Sequence, residues 1–516
     1  MTERRSKLLV VAAVWLSFLL VSLVSAPIPA VNEPHYLAMA RHWWNPSWCT
    51  NDLFLSSFPA HQVFYGMFGC LTLWFDFATV AFLGRAISLA MVAASWTTLA
   101  SRLQRENLEH SSPRATVLLS AWLFLGLQAI GNLSGEWLIG GFESKVVAYS
   151  LVFWSIAALL DRRLLTAAAC GGAAISFHPI IGLWHLAAMC FAELVRFDIE
   201  HSRWRRWLVA TVLLVLVALP GLWPAIELLR ASNAGTNVIA NYIQVYYRLK
   251  HHLNPLDFGV ANYARYGALG LAWLCLLYWR RRRTGSRDVR WWMGYIIAAA
   301  LFAGMGLVAG WGPQPQPANL LSEPHWRMVV LKFYPFRLFD LLLPVAVAIQ
   351  LPSLFPQRWL WLLGGVGLAW AVIATRVMPP PNQLPSAMRA DWRDACRWVA
   401  ANSPADTVFH TPFEAEAFKW FAQRAEYVNL KDCPQDAAGI VEWNRRLQFI
   451  TKWSEKSFKD DETYSVEELR ELVRQTSVGF AITRTRVRYD ADLLYSNNTY
   501  KILRLPEPGS ESRRRP

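Results

Sequence analysis

Residues 31–43 read VNEPHYLAMARHW and place a carboxylate, an imidazole and a phenol, Glu33, His35 and Tyr36, directly after a long apolar run. A carboxylate beside a bilayer is costly unless it has a partner or a task. One task open to Glu33 is to take a proton from an acceptor hydroxyl, provided burial and neighbours keep it ionised yet basic. The plainer reading is a helix start, because Asn32 or Glu33 ahead of Pro34 is a good N-terminal signature. Three further stretches carry groups of the same kind. GNLSGEWLIGGFESK (131–145) offers Glu136, Glu143 and Lys145 among glycines that permit close backbone approach. There Glu143 and Lys145 can form a structural ion pair or hold a sugar hydroxyl or a phosphate. YIQVYYRLKHHLNP (242–255) brings Arg248, His251 and His252 beside tyrosines. That mixture suits a lipid phosphate, a sugar face or an ordinary interfacial belt. LKFYPFRLFD (331–340) sets Lys332 and Arg337 on either side of Tyr334-Pro335. Arg337 can fork onto phosphate oxygens or pair with Asp340 three residues on. His178-Pro179 reads as a turn. Adjacent histidines without cysteine or acidic partners are poor metal ligands, so neither a metal nor a cofactor is expected.

These groups have to be positioned by a membrane body. The 516 residues are 54% hydrophobic and 17% charged, whereas soluble domains carry about 25% charged residues. The expected fold class is an α-helical polytopic membrane protein. Apolar segments near 8–25, 77–100, 115–131, 145–160, 163–177, 179–195, 207–223, 258–279, 291–311, 336–352 and 357–376 give about eleven transmembrane helices. The segment 62–76 is a further element in or against the bilayer, and 163–177 is short and holds Gly171 and Gly172. The net charge of +14 comes without any basic–aromatic nucleic-acid module, so no nucleic-acid partner is expected. Instead it records orientation. Arg4, Arg5 and Lys7, then Arg102, Arg105 and Arg114, Arg162 and Arg163, Arg203, Arg205 and Arg206, Arg280 to Arg283, and Arg358 fall on one side of an eleven-span chain. That side is cytoplasmic, which leaves the N-terminus inside and every loop quoted above outside.

The chain from 377 onward changes character. A Pro-rich linker (377–388) leads to a segment, 389–505, in which helices alternate with short apolar strands, and a disordered tail covers 506–516. DWRDACRWVAAN, FEAEAFKWFAQR, 436–455 and YSVEELRELVRQ read as helices. TVFHT, AEYVNL, GFAITR and TYKILRL read as strands, which makes a small extracytoplasmic α/β domain. Cys396 and Cys433 share this domain and can pair if the geometry allows.

An acidic residue just after the first span, followed by a tyrosine on an amphipathic helix, resembles the GT-C glycosyltransferases, among them the protein O-mannosyltransferases and the aminoarabinose transferases. Their usual Asp-Glu…Tyr stands here as Asn32-Glu33-Pro34-His35-Tyr36. The stretches GFESK, HHLNP, KFYPFR and TPFEAEAFKW are similar to an uncharacterised bacterial family of GT-C-like build. The resemblance implies a multi-helix body with a C-terminal extracytoplasmic domain in the cell membrane. It also implies a polyprenyl-phosphate-linked sugar donor and inversion at the anomeric carbon. On that reading Glu33 acts on the acceptor, with His35, Tyr36, Glu143, Lys145, Arg248, His251, His252, Lys332 and Arg337 holding the substrates. The acceptor is unknown. Two other classes stay open at this point: a transporter, which needs ionisable or discontinuous sites near the midplane, and a non-catalytic relative.

Overall fold

A computed structural model describes residues 2–30, 32–104, 112–196, 204–283, 287–317, 320, 325–353, 355–377, 384–413 and 417–507. Half of the linker, 378–383, and most of the C-terminal tail lie outside these. Among the described residues, six helices are long and apolar enough to cross a membrane: Arg4–Ser25, Phe77–Gln104, Pro113–Ile130, Trp204–Arg230, Asp288–Gly310 and Gln357–Ala374. The other apolar segments are helical too, over Ser144–Leu160, Leu164–Phe177, Pro179–Arg196, Val260–Arg283 and Arg337–Gln350.

In lipid these helices gain little from hydrophobic burial against one another, so they associate through close packing and small residues. Trp96 shows the first device: its ring meets Phe18, Phe124 and Phe153, and its Nε1 donates to Ser120 Oγ at 3.1 Å. Gly172 shows the second. A Cβ there would lie 2.5 Å from the Leu214 carbonyl oxygen, so only glycine lets helix Leu164–Phe177 approach helix Trp204–Arg230. The Gly171-Gly172 pair is therefore a contact surface inside an unbroken helix, and the discontinuity a transporter would use is absent there.

The segment after the first helix lies as a separate layer. Helix Glu33–Trp44 packs against helix Gln62–Phe68 and the 3₁₀ turns Gly69–Leu73. Trp74, at the end of this layer, is 83% exposed beside Leu73 and Phe75, an apolar edge suited to a bilayer interface.

Among its described residues the C-terminal part holds seven short strands: β1 Val408–His410, β2 Ala425–Glu426, β3 Thr463–Tyr464, β4 Phe480–Arg484, β5 Arg488–Tyr489, β6 Asp492–Ser496 and β7 Tyr500–Arg504. Five form a sheet in the order β2-β1-β4-β7-β6, parallel across β2-β1-β4 and antiparallel across β4-β7-β6, and β3 pairs with β5 alone. Helices Ser386–Asn402, Ala437–Asp461 and Val466–Thr476 stand where the sequence predicts them. The stretch AEYVNL is extended only over Ala425–Glu426. The Asn429 side chain accepts from the Lys431 and Asp432 amides and turns the chain, which ends the strand early. FEAEAFKWFAQR shrinks to helix Phe418–Ala422, with 414–416 outside the described residues. Strand β6 escaped the pattern because it is largely solvent-facing and carries little alternation. Cys396 and Cys433 are both buried and unpaired, in two different apolar clusters.

One buried charge cluster joins this part to the layer of helix Glu33–Trp44. Lys419 Nζ lies 3.0 Å from Asp52, 2.8 Å from Glu426 and 2.8 Å from Asp432. Burial alone would lower the lysine's pKa, but the three carboxylates hold it well above the ordinary value.

Candidate functional site

The loop 131–143 is held from three sides. The Asp340 carboxylate accepts the amides of Leu133, Ser134 and Glu136 at 2.6, 2.8 and 2.9 Å, and the Ser134 hydroxyl at 2.9 Å. Gln128 takes the amides of Leu138 and Ile139 on its oxygen and donates to the Ile139 carbonyl. At the far end, Glu33 accepts the Phe142 amide at 2.8 Å. Gly135 has φ +86°, and a Cβ there would strike the His252 ring, so the tight turn needs glycine.

Two expectations are corrected by these bonds. Asp340 is not the partner of Arg337: it is consumed by three backbone amides and a hydroxyl, an arrangement no i,i+3 pattern encodes. Glu33 is held inside the fold, away from the cavity lining. It is fully buried, its oxygens take Arg85 Nε and Nη2 at 2.6 and 2.7 Å, and the amides of Ala30 and Phe142 complete its shell. With its lone pairs engaged and no place in the cavity wall, it is a structural anchor.

The cavity has a volume of about 2,020 Å³, and its lining includes apolar residues such as Leu183, Leu222, Ile226, Leu229, Met305 and Val330. Residues of the loop 131–143 contribute part of its polar lining. Glu143 precedes helix Ser144–Leu160, yet its side chain makes no capping bond. Its Oε1 instead accepts from Asn32 Nδ2 at 2.7 Å, and its Oε2 lies 3.6 Å from Lys145 Nζ. Lys145 also lies 3.7 Å from Glu136, and sits 3.7 Å above the Trp137 ring. Glu136 Oε2 is 2.8 Å from Arg337 Nε, and Arg337 Nη1 is 3.2 Å from His178 Nε2. Burial raises the Glu143 carboxyl above its ordinary range, while Lys145 and Asn32 draw it back only in part. A carboxyl raised in this way is a stronger base than a free glutamate.

The other expected residues come to the same cavity. His35 Nδ1 lies 3.1 Å from Asp432, and burial lowers its pKa against that pull. The Tyr36 hydroxyl is 3.3 Å from Ser144 Oγ. Lys332 Nζ donates to Asn241 Oδ1 at 2.8 Å, and Arg248 Nη2 donates to the Lys431 carbonyl at 3.3 Å. Arg248 closes a π-helical turn, Ile243–Arg248, a feature frequent at functional sites. His251 lines the cavity, and His252 donates to the Ser134 carbonyl. Burial brings His252 down to about 3 and His61 to about 4, so both are neutral at pH 7. Among the described residues no group of three or more His, Cys, Asp or Glu is placed to hold a metal ion.

Several participants escaped the sequence reading. His61, Lys431 and Gln435 reach the cavity from distant segments and carry no local signal. Arg85 did carry one: a lone arginine inside the apolar run FATVAFLGRAISLA calls for a buried acid partner.

Residues 390–450 match a family model described as a domain of unknown function, DUF6798. No curated protein matches the chain. Among solved structures, ArnT from Cupriavidus metallidurans in the apo state is similar with TM-score 0.45 and 10% identity, covering 98% of each chain. The same protein bound to undecaprenyl phosphate gives TM-score 0.45 and 13% identity over 96% of this chain and 97% of that one. An oligosaccharyltransferase from Archaeoglobus fulgidus, in complex with zinc and sulfate, gives TM-score 0.41 and 12% identity over 92% and 68%.

Proposed function

We propose that this protein transfers a sugar from a polyprenyl-phosphate carrier to an acceptor on the outer side of the cell membrane. The observation that carries the reading is the cavity itself, whose lining joins apolar side chains of membrane helices to a buried cluster of Lys145 and Arg337 with the carboxylates of Glu136 and Glu143. The apolar lining suits an isoprenoid chain. Arg337 and Lys332 suit the departing phosphate, whose charge grows as the glycosidic C–O bond breaks.

In this reaction the acceptor hydroxyl attacks the anomeric carbon from the face opposite the phosphate, and the configuration inverts. Its proton passes to Glu143, and the electron pair of the broken bond leaves on the phosphate oxygen. Asn32 and Lys145 aim the carboxylate. Tyr36 and His35 border the same space and orient the sugar or acceptor. Glu143 thus takes the role that the family resemblance placed on Glu33.

The architecture that goes with this activity has about eleven spans over residues 1–376, a cytoplasmic N-terminus and an extracytoplasmic α/β domain over 389–505. An impermeant thiol reagent tests the orientation on single-cysteine chains. Lys452→Cys is modified in intact cells and Arg162→Cys only after lysis; the opposite pattern removes the outer site. The activity is tested by incubating the purified chain with membrane acceptors and a lipid-linked radiolabelled sugar. Label reaching an acceptor supports the reading, and a chain that binds the donor yet never transfers from any carrier sinks it.

A further inference from the structure

One side chain of the cavity lining is held from outside it. His35 lines the cavity, whereas Asp432, its partner in the C-terminal part, does not. Asp432 Oδ1 lies 3.1 Å from His35 Nδ1. Its Oδ2 lies 2.8 Å from the Lys419 ammonium and accepts from Asn429 Nδ2 at 3.3 Å. Phe54 fixes the imidazole plane, stacked on it with 4.1 Å between ring centroids and 29° between planes. The second ring nitrogen, Nε2, makes no hydrogen bond to any described residue.

The charge on Asp432 decides which nitrogen of His35 carries the hydrogen. Burial alone would raise the Asp432 carboxyl, but the Lys419 ammonium and the bond to His35 hold it well below the ordinary carboxylate value. Asp432 is therefore ionised and has no proton to give, so Nδ1 is the donor in their bond. Burial lowers the His35 pKa despite this partner, which leaves the ring neutral near pH 7. A neutral ring with its hydrogen on Nδ1 has a lone pair on Nε2.

That lone pair belongs to a useful face. Asn32, His35 and Tyr36 stand at i, i+3 and i+4 around the start of helix Glu33–Trp44. Asn32 donates to Glu143, and the Tyr36 hydroxyl meets Ser144 Oγ. The two neighbours of His35 on this face thus grip consecutive residues, one of them the proposed base. The reacting hydroxyl yields its proton to Glu143, so a further acceptor there suits a hydroxyl that keeps its proton, one borne by the transferred sugar. We infer that Asp432 is a positioning residue that fixes the Nδ1–H tautomer of His35, whose Nε2 accepts a hydrogen bond from a hydroxyl of the transferred sugar. This rests on the sugar-transfer reading above and adds that the C-terminal part completes the site.

The test uses the full chain in lipid nanodiscs, labelled with ¹⁵N-histidine, with the His35 signals assigned by their loss in His35→Phe. Ring-nitrogen NMR is expected to show Nδ1 protonated and Nε2 bare. In Asp432→Asn the amide can donate to Nδ1, which moves the ring hydrogen to Nε2, the wrong tautomer that the same change gives in a Ser-His-Asp triad. The second readout is the dependence of transfer on the concentration of the lipid-linked radiolabelled sugar. Asp432→Asn is expected to raise the donor KM about 10–100-fold, the effect of one lost hydrogen bond to a buried group, with a smaller change in kcat. Asp52→Asn takes a different carboxylate from Lys419 without touching His35, and keeps the parent tautomer and donor KM. His35→Phe keeps a ring against Phe54, and raises the donor KM even if Asp432→Asn fails to fold. Protonated Nε2 in the parent chain, or a tautomer indifferent to Asp432→Asn, overturns the inference and leaves the transfer reading standing. An equal KM rise in Asp52→Asn, or an unchanged KM in His35→Phe, overturns it too. A parent chain that transfers no sugar overturns the transfer reading, and the substrate role of His35 with it.

Discussion

Glu143→Gln is expected to cut sugar transfer about 10²–10⁴-fold, the usual contribution of a general base, while donor binding and the melting behaviour stay close to those of the parent chain. The substitution keeps the bond from Asn32, because an amide oxygen accepts as a carboxylate does, and removes only the proton acceptor. The pH profile gives a second reading. Burial raises this carboxyl, so activity rises with pH as the group ionises, and the acidic limb lies above the ordinary glutamate value of about 4.3. As pH falls through that raised value the base is protonated and transfer stops. In the glutamine variant the limb disappears from whatever activity remains. Full turnover in a folded Glu143→Gln chain would return the carboxylate to the role of a loop ion pair.

Arg85→Met is expected to destabilise the protein by about 3–5 kcal/mol, the cost of breaking a buried ion pair and leaving one charge behind. The abandoned partner is Glu33, fully buried and holding the amides of Ala30 and Phe142. Thermal unfolding in detergent checks this, as does the yield of monodisperse protein. Glu33→Gln is expected to act in the same direction, through stability, and to leave transfer per folded molecule largely intact. A double-mutant cycle on the two residues separates their coupling from the loss of the amide acceptor. Wild-type stability in Arg85→Met, or a Glu33→Gln chain that folds normally and cannot transfer, contradicts the anchor role.

The contrast between Glu33 and Glu143 shows how far the sequence could be read. Helix positions were legible because apolar runs of membrane length announce themselves locally, and nearly every nominated run is a helix. The strands β1, β4 and β7 were legible for the same reason, and β6 was not, because its side chains are mostly in water. Which residues would converge was also legible: His35, Tyr36, Lys145, Arg248, Lys332 and Arg337 do line one cavity. Their partners were not. Asn32 meets Glu143 across 111 positions and His35 meets Asp432 across 397, and no periodicity encodes pairings that long. The side chains at 32 and 33 point different ways for that reason alone. One reaches into the cavity, and the other is claimed by an arginine 52 positions on.

The buried lysine at 419 has a bearing on how the protein can be taken apart. Asp52, on the membrane body, receives both the Lys419 ammonium and the Glu426 amide, while Asp432 reaches back to His35. Cutting the chain in the linker therefore does not separate two finished modules. The membrane fragment keeps an acid at 52 with its counterion removed, and the excised fragment loses the His35 contact to Asp432. A graft of the α/β part onto another membrane scaffold needs an acid at the place of Asp52 and an imidazole at the place of His35, carried over together as one inheritable set.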